Sequence, residues 1–311
     1  MVELLFSSEE LDVSFLPGAS DFLLVTFSAL DFSTKTDAFW GRYFAEKNGI
    51  SALGFVAKKN NWYPRRFVEE GLKSVMPRIR HMPRRITYGS SMGAYGAVKY
   101  SKVLGATACA AFSPQFSIDP ADGITRSSYT SYFRPELHDG MAIRGQDVSA
   151  NCYIFYDQTD DFDRGNAEYI SKVAPGTRLV RIRNVGHEVI KVLGNAPNTI
   201  KLLKFCLEAR DDEIHSLMRT LRARSPARYS GVATALALRN RKLAGKIFDK
   251  YQDRFDQKQR AIYFDVMAEA CALSQEFELA RAYIVKALEI LPGRIPFLMR
   301  VRQIDELARK G

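Results

Sequence analysis

Gly89-Ser90-Ser91-Met92-Gly93 fits G-x-S-x-G, and what stands on either side of it decides the fold. Before it, Arg85-Ile86-Thr87-Tyr88 reads as a short buried strand; after it, Ala94-Tyr95-Gly96-Ala97-Val98-Lys99-Tyr100 reads as a helix rich in small residues. A serine on such a strand-to-helix turn is held in a strained backbone conformation that thrusts its Oγ clear of the sheet. A Cβ at 89 or 93 would collide with the neighbouring strand or helix at so sharp a turn. Ala94, Gly96 and Ala97 then let the helix lie close on the sheet. The pentapeptide alone occurs by chance; its strand–turn–helix setting makes it specific.

Working outward, an acid and a histidine follow in the order Ser, Asp, His, each in a loop after a strand. Asn151-Cys152-Tyr153-Ile154-Phe155-Tyr156 is an apolar, aromatic strand, and Asp157-Gln158-Thr159-Asp160-Asp161-Phe162-Asp163 comes directly after it. Arg178-Leu179-Val180-Arg181-Ile182-Arg183 alternates charged and apolar residues as an edge strand does. Its loop, Asn184-Val185-Gly186-His187-Glu188, sets a histidine after glycine. With the elbow around Ser91, the acidic loop and Gly186-His187, the first two-thirds of the chain resembles the α/β-hydrolase superfamily of the serine-esterase type.

A serine hydroxyl needs a neutral imidazole in hydrogen-bond reach to take its proton, and a carboxylate to fix the imidazole tautomer. His187 is the best base among four histidines. His81 stands in a basic run, His138 in a long insert and His215 on a C-terminal helix. The resemblance places the acid on the loop past strand 151–156, at Asp160. Asp161 fits if the loop is shifted by one residue. Asp163, just before Arg164-Gly165-Asn166-Ala167-Glu168, looks more like a helix N-cap but could serve as the acid. Asp157 ends the strand as a turn residue.

An oxyanion needs backbone donors. One is the N–H of Met92, after the nucleophile. The other belongs to Ser28-Ala29-Leu30-Asp31-Phe32, after the strand Asp21–Phe27, where Ala29 or Leu30 donates. That loop lacks the glycine run of many superfamily members, which leaves the identity of the second donor open.

Strands are expected at 2–7 and 11–16 as a hairpin, then at 22–27, 51–57, 85–89, 106–112, 151–156 and 178–183. Helices are expected near 35–48, 64–80, after the elbow and after the last two strands. This alternation predicts an α/β fold with a mostly parallel sheet flanked by helices. Residues 1–209 form the expected hydrolase domain, with a lid-like insert at 113–148. Phe116, Tyr129, Tyr132, Phe133, His138 and Met141 are candidate pocket walls there, or simply pack on their own domain. Trp62 and Tyr63, after strand 51–57, either stack on a sugar or acyl group or pack a loop.

Residues 210–311 read as a small all-α domain. Phe264, Met267, Ala268, Cys271, Ala280, Ile284, Ala287 and Pro292 resemble a tetratricopeptide helix pair, and Val232, Ala235, Ala244 and Phe248 map onto Ala268, Cys271, Ala280 and Ile284 at 36 residues' distance. Ile295, Phe297, Leu298, Val301, Ile304 and Leu307 continue an apolar stripe that needs a cover, from the chain itself or from a homodimer partner.

The 311 residues carry a formal charge of +10, spread along the chain, with one basic run at Arg219, Arg222, Arg224 and Arg228. No nucleic-acid recognition motif accompanies that run. No apolar run is long enough for a transmembrane helix, and Met1–Glu10 has no basic start or long apolar core. Cys109, Cys152, Cys206 and Cys271 stand far apart without zinc spacing, as buried thiols of a reducing cytoplasm do. The expected activity is cleavage of a small-molecule or glycan carboxylic ester through an acyl-enzyme, with no metal or cofactor. An acyltransferase would use the same residues. A non-catalytic hydrolase-fold scaffold working through its helical C-terminus is the alternative from another class.

Overall fold

A computed structural model describes residues 1–33, 38–124 and 127–310. The chain forms two compact units, one of residues 1–182 with 187–219, the other of 183–186 with 220–311.

The first unit is built on one sheet. Its strands are β1 (Glu3–Ser7), β2 (Leu11–Leu16), β3 (Leu23–Phe27), β4 (Ser51–Ala57), β5 (Arg85–Ser90), β6 (Ala108–Phe112), β7 (Asn151–Asp157) and β8 (Arg178–Ile182), in the spatial order β1-β2-β4-β3-β5-β6-β7-β8. β2 runs antiparallel to β1 and β4, and every pairing from β4 to β8 is parallel. β3, β4 and β6 are buried along their whole length, as strands covered on both faces must be. β8 keeps Arg181 exposed at the sheet's edge.

The helices are α1 (Arg42–Lys47), α2 (Arg65–Ile79), α3 (Met92–Lys99), α4 (Ser127–Thr130), α5 (Pro135–His138), α6 (Asp161–Val173), α7 (Ala196–Leu207) and α8 (Asp211–Arg224). The helix expected near 35–48 begins at Arg42; its first expected residues, 35–37, lie outside the described residues. α3 packs on β3, β5 and β6, while α7 packs on β5, β6 and β7. The register tells the two faces apart. Thr26, Gly54 and Tyr88 are neighbours in one row across β3, β4 and β5. On that row's face a Cβ at Gly54 would lie 2.2 Å from the Phe39 ring, so Phe39 rests on bare backbone. Phe27, one residue on from Thr26, faces α3, where its ring lies against Gly96.

The second unit holds α9 (Pro226–Ala237), α10 (Arg241–Tyr251), α11 (Gln257–Leu273), α12 (Phe277–Ile290) and α13 (Ile295–Lys310). Ala244 and Phe248 of α10 are buried, as are Ala280 and Ile284 of α12, 36 residues later. The other half of the expected repeat is out of register. α9 buries Ala227, Ser230, Ala233 and Ala237, whereas Val232 is half-buried and Ala235 exposed. Arg300 binds α13 to α11 through Asp265 at 3.2 Å and Glu269 at 2.8 Å. The C-terminal stripe divides: Phe297 and Ile304 are buried with Val301 and Leu307 packed beside them, while Ile295 and Leu298 stay exposed. Among the described residues no helix is long and apolar enough to cross a membrane.

Candidate active site

Ser91 leaves β5 and caps α3 with φ 53° and ψ −122°. A non-glycine residue with such a φ costs on the order of 1–3 kcal/mol unless its surroundings enforce it. Here the Ser91 N–H donates to Phe112 O at the end of β6 (2.9 Å), and Ser91 O accepts from Tyr95 N (3.0 Å). The glycines make the turn sterically feasible. A Cβ at Gly89 would stand 2.3 Å from Gly93 O, and one at Gly93 would stand 2.3 Å from Phe27 O.

His187 follows Gly186, whose φ of 72° turns the chain back after β8. Its Nε2 lies 2.9 Å from Ser91 Oγ and its Nδ1 lies 2.8 Å from Asp163 Oδ1. The carboxylate accepts from Nδ1–H, which leaves Nε2 to accept the serine hydroxyl. Asp163 is buried, and its Oδ2 has no hydrogen-bond partner among the described residues. The charge is thus held away from water with one oxygen turned to the imidazole.

Asp160, the acid expected from the sequence, occupies the N-cap of α6, where its Oδ1 accepts from Phe162 N (3.0 Å) and Asp163 N (3.1 Å). Asp160 thus holds the cap anticipated for Asp163, and Asp163 is the aspartate that meets His187. Asp161 is exposed and pairs with Arg164, and Asp157 closes a turn onto Thr159. The reason is helical phase. α6 buries Asp163, Asn166, Ala167 and Ile170, a face with helical spacing that carries Asp163 inward. Asn166 shares that face and accepts from Phe116 N at 2.7 Å, anchoring the insert. That spacing is present in the sequence and is the signal that points to Asp163.

Met92 is the first residue of α3, where an N–H has no carbonyl of a preceding turn to meet. The loop holding Ala29 starts against α3, since Gly93 approaches both Phe27 O and Ser28 O. Ser28 is fixed four ways: its N–H donates to Phe55 O (3.0 Å), its Oγ accepts from Ala57 N (3.1 Å) and meets the Tyr63 hydroxyl (2.8 Å), and its carbonyl accepts from that same hydroxyl (2.6 Å). Farther on, Asn60 accepts from Asp31 N and donates to Asp31 Oδ1. This brace gives the loop the rigidity that a glycine run would not. No sequence motif marks it.

Trp62 and Tyr63 are both buried, with φ of 48° and 54°. They pack a loop and present no open stacking surface. Trp62 lies against Tyr129 and Tyr132 and donates from Nε1 to Gln115. Phe116, His138 and Met141 are likewise buried; Tyr129, Tyr132 and Phe133 are half-buried against the same core.

The insert is latched to the rest of the unit by buried polar groups. His138 Nδ1 accepts from Arg134 N (2.8 Å), so Nε2 carries the proton and donates to Asn61 O (2.7 Å). Burial lowers the His138 pKa below the ordinary imidazole value, against the pull of the Asn61 carbonyl. Glu10 accepts from Asn61 Nδ2 (2.9 Å) and Lys59 Nζ (3.0 Å), with Arg134 at 3.4 Å. Burial pushes the Glu10 carboxyl up, but Asn61, Lys59 and Arg134 outweigh it and hold the carboxyl below its usual value.

No family model and no curated protein matches the chain. Among solved structures it is similar to the capsule O-acetyltransferase of Neisseria meningitidis serogroup A, at 13% identity over 64% of this chain and 93% of that one, with a TM-score of 0.47. It is also similar to an esterase of Pyrococcus furiosus, at 17% identity over 63% and 86%, with a TM-score of 0.41. A third is the proline iminopeptidase of Mycobacterium smegmatis, at 12% identity over 68% and 100%, with a TM-score of 0.41.

Proposed function

We propose that the protein cleaves a carboxylic ester by a serine acyl-enzyme route, with Ser91 as nucleophile, His187 as base and Asp163 as the orienting acid. The observation that carries this reading is the continuous chain of 2.9 Å and 2.8 Å contacts from Ser91 Oγ through His187 to Asp163. Ser91 Oγ attacks the ester carbonyl while His187 Nε2 takes its proton. Asp163 keeps the Nδ1 proton in place and stabilises the imidazolium. The Met92 and Ala29 N–H groups receive the oxyanion. Collapse of the tetrahedral species breaks the ester C–O bond, and the imidazolium gives its proton to the departing alkoxide. Water, deprotonated by His187, then attacks the acyl-serine and restores the hydroxyl.

The test is labelling with a fluorophosphonate probe, located by peptide mass, with turnover of a simple chromogenic ester. The label is expected on Ser91 and absent from Ser91→Ala, while Ser90→Ala keeps both label and turnover. Retained labelling in folded Ser91→Ala overturns the assignment. Adding an acceptor alcohol to the turnover assay separates the two fates of the acyl-enzyme: new ester in place of free acid would mark an acyltransferase.

A further inference from the structure

Tyr63 is wholly buried, and its backbone is left-handed at φ 54°. For a residue with a Cβ that conformation costs on the order of 1–3 kcal/mol unless its surroundings enforce it. Both ends are held: the Tyr63 N–H donates to Asn61 Oδ1 (3.0 Å), and the Tyr63 carbonyl accepts from the Tyr100 hydroxyl (2.5 Å). The ring stands edge-on to Phe27, with centroids 5.1 Å apart, and lies over Gly96 of α3, where a Cβ would come within 2.9 Å of it. What this arrangement carries into the core is a phenol hydroxyl.

That hydroxyl closes a circuit around Ser28 in which each proton has one place. A phenol has a single proton to give. It goes to Ser28 O at 2.6 Å, so at the 2.8 Å contact between the two hydroxyls Ser28 Oγ–H donates and Tyr63 Oη accepts. Ser28 Oγ in turn accepts from Ala57 N. Burial raises the Tyr63 pKa well above the ordinary phenol value, so the phenol keeps its proton. Ser28 O and the Ala29 N–H belong to one peptide group. Among the described residues no peptide bond is cis, so the two point in opposite directions. Turning the carbonyl to Tyr63 in the core therefore turns the N–H away from it, and no group among the described residues accepts that N–H. The Leu30 N–H likewise meets no acceptor there, but the carbonyl of its peptide, Ala29 O, is held only by Phe32 N at 3.3 Å.

We propose that Tyr63 is the positioning residue of the oxyanion site: its hydroxyl fixes the plane of the Ser28–Ala29 peptide and so holds the Ala29 N–H ready for the alkoxide that forms on the substrate. The role rests on the ester-cleaving function proposed above. The phenol does not touch the substrate; it acts through the peptide. A donor fixed before the charge develops needs no reorganisation when the charge appears.

The test is Tyr63→Phe in the full-length protein, which removes one oxygen and keeps the packing of the ring. It is made in the parent and again with Gly165→Ala, a change into open space that stabilises the helix, so that a lowered melting temperature does not end the experiment. For a p-nitrophenyl ester kcat is expected to fall by about 10- to 100-fold, less than the loss of a donor outright, with KM held within about twofold. A hexyl trifluoromethyl ketone, to which Ser91 Oγ adds to leave an alkoxide on the former carbonyl oxygen, should lose affinity by the same factor as kcat/KM. The pH midpoint of kcat/KM, set by His187, should not move. Tyr153→Phe removes an equally buried phenol oxygen, one that donates to Asp211, and should leave turnover and ketone affinity as in the parent. Parent-like kcat and ketone affinity in folded Tyr63→Phe overturn the role. A fall in kcat that leaves ketone affinity unchanged, or one that Tyr153→Phe shares, does so too. A parent that neither turns over the ester nor binds the ketone at Ser91 overturns the ester-cleaving function itself, and this role with it.

Discussion

Asp163 stands one helical turn after Asp160, and the two are joined: Asp160 Oδ1 accepts the Asp163 N–H at 3.1 Å, while Asp163 Oδ1 meets His187 Nδ1 at 2.8 Å. One carboxylate caps the helix that aims the other. Asp163→Asn should therefore lower kcat by about 10⁴-fold with little change in melting temperature. Asp160→Ala should cost about 1 kcal/mol of stability as a lost N-cap and keep fluorophosphonate labelling. The reverse pattern, measured by ester turnover and thermal denaturation, would return the acid to Asp160.

The elbow can be broken without touching its serine. Gly93→Ala drives a methyl to 2.3 Å from Phe27 O, a backbone atom that cannot swing aside. It should abolish Ser91 labelling although the hydroxyl is still present. Gly165→Ala meets open space in the middle of α6 and should stabilise by about 0.5–1 kcal/mol with labelling intact. Probe labelling and melting curves of the two variants decide.

The latch of the insert is sensitive to acid. His138 has a lowered folded pKa, so the unfolded chain binds more protons in the window below 6.5, the ordinary imidazole value. Its contribution is whole above that value and is lost as the pH falls toward the folded pKa. Glu10 acts with the same sign from 4.5 downward. The melting temperature of the parent should fall on acidification through both windows, and less steeply in His138→Asn and Glu10→Gln. Parallel curves for parent and variants would remove these two groups from the acid response.

In the helical unit Phe297→Ala should cost about 3–5 kcal/mol, because its ring is 2% exposed inside the cluster with Ala280 and Ile284. Leu298→Ala, 44% exposed, should cost under about 0.5 kcal/mol. A homodimer built on α13 would have to use Ile295, Leu298 and Met299, the exposed side of the helix. Light scattering of the parent and of Ile295→Ser/Leu298→Ser tests that assembly.

The strands were legible because β3, β4 and β6 carry unbroken apolar runs and β8 alternates, patterns that burial on both faces or at an edge imposes. The antiparallel pairing of β2 with β4 was not, since nothing in Leu11–Leu16 encodes its partner. In the site, Ser91 stands midway between Gly89 and Gly93 and His187 directly after Gly186, each past the end of a strand, and the structure sets them 2.9 Å apart. Which aspartate meets His187 depends on the phase of α6, which the place of the acid on the loop past β7 does not carry. The aromatics of the insert fit a pocket wall and a packed loop equally well as composition. Left-handed backbone at Trp62 and Tyr63, which turns both side chains inward, leaves no mark in the residue types. In α9 the buried face runs through Ser230, Ala233 and Ala237 in place of Val232 and Ala235, because alanines stand at 233, 235 and 237 alike.

Position 54 shapes a neighbouring surface from within the sheet. Phe39 seats itself where a side chain at 54 would be, and Trp40 and Gly41, the next two residues, border a cleft of about 470 Å³ between α1 and α7. The depth to which that segment sinks onto the sheet is therefore set by a hydrogen atom on β4. Gly54→Ala, with a Cβ 2.2 Å from the Phe39 ring, would lift the segment and reshape the cleft mouth while leaving every lining side chain as it is. The shape of that surface is then governed by a strand residue that never reaches it.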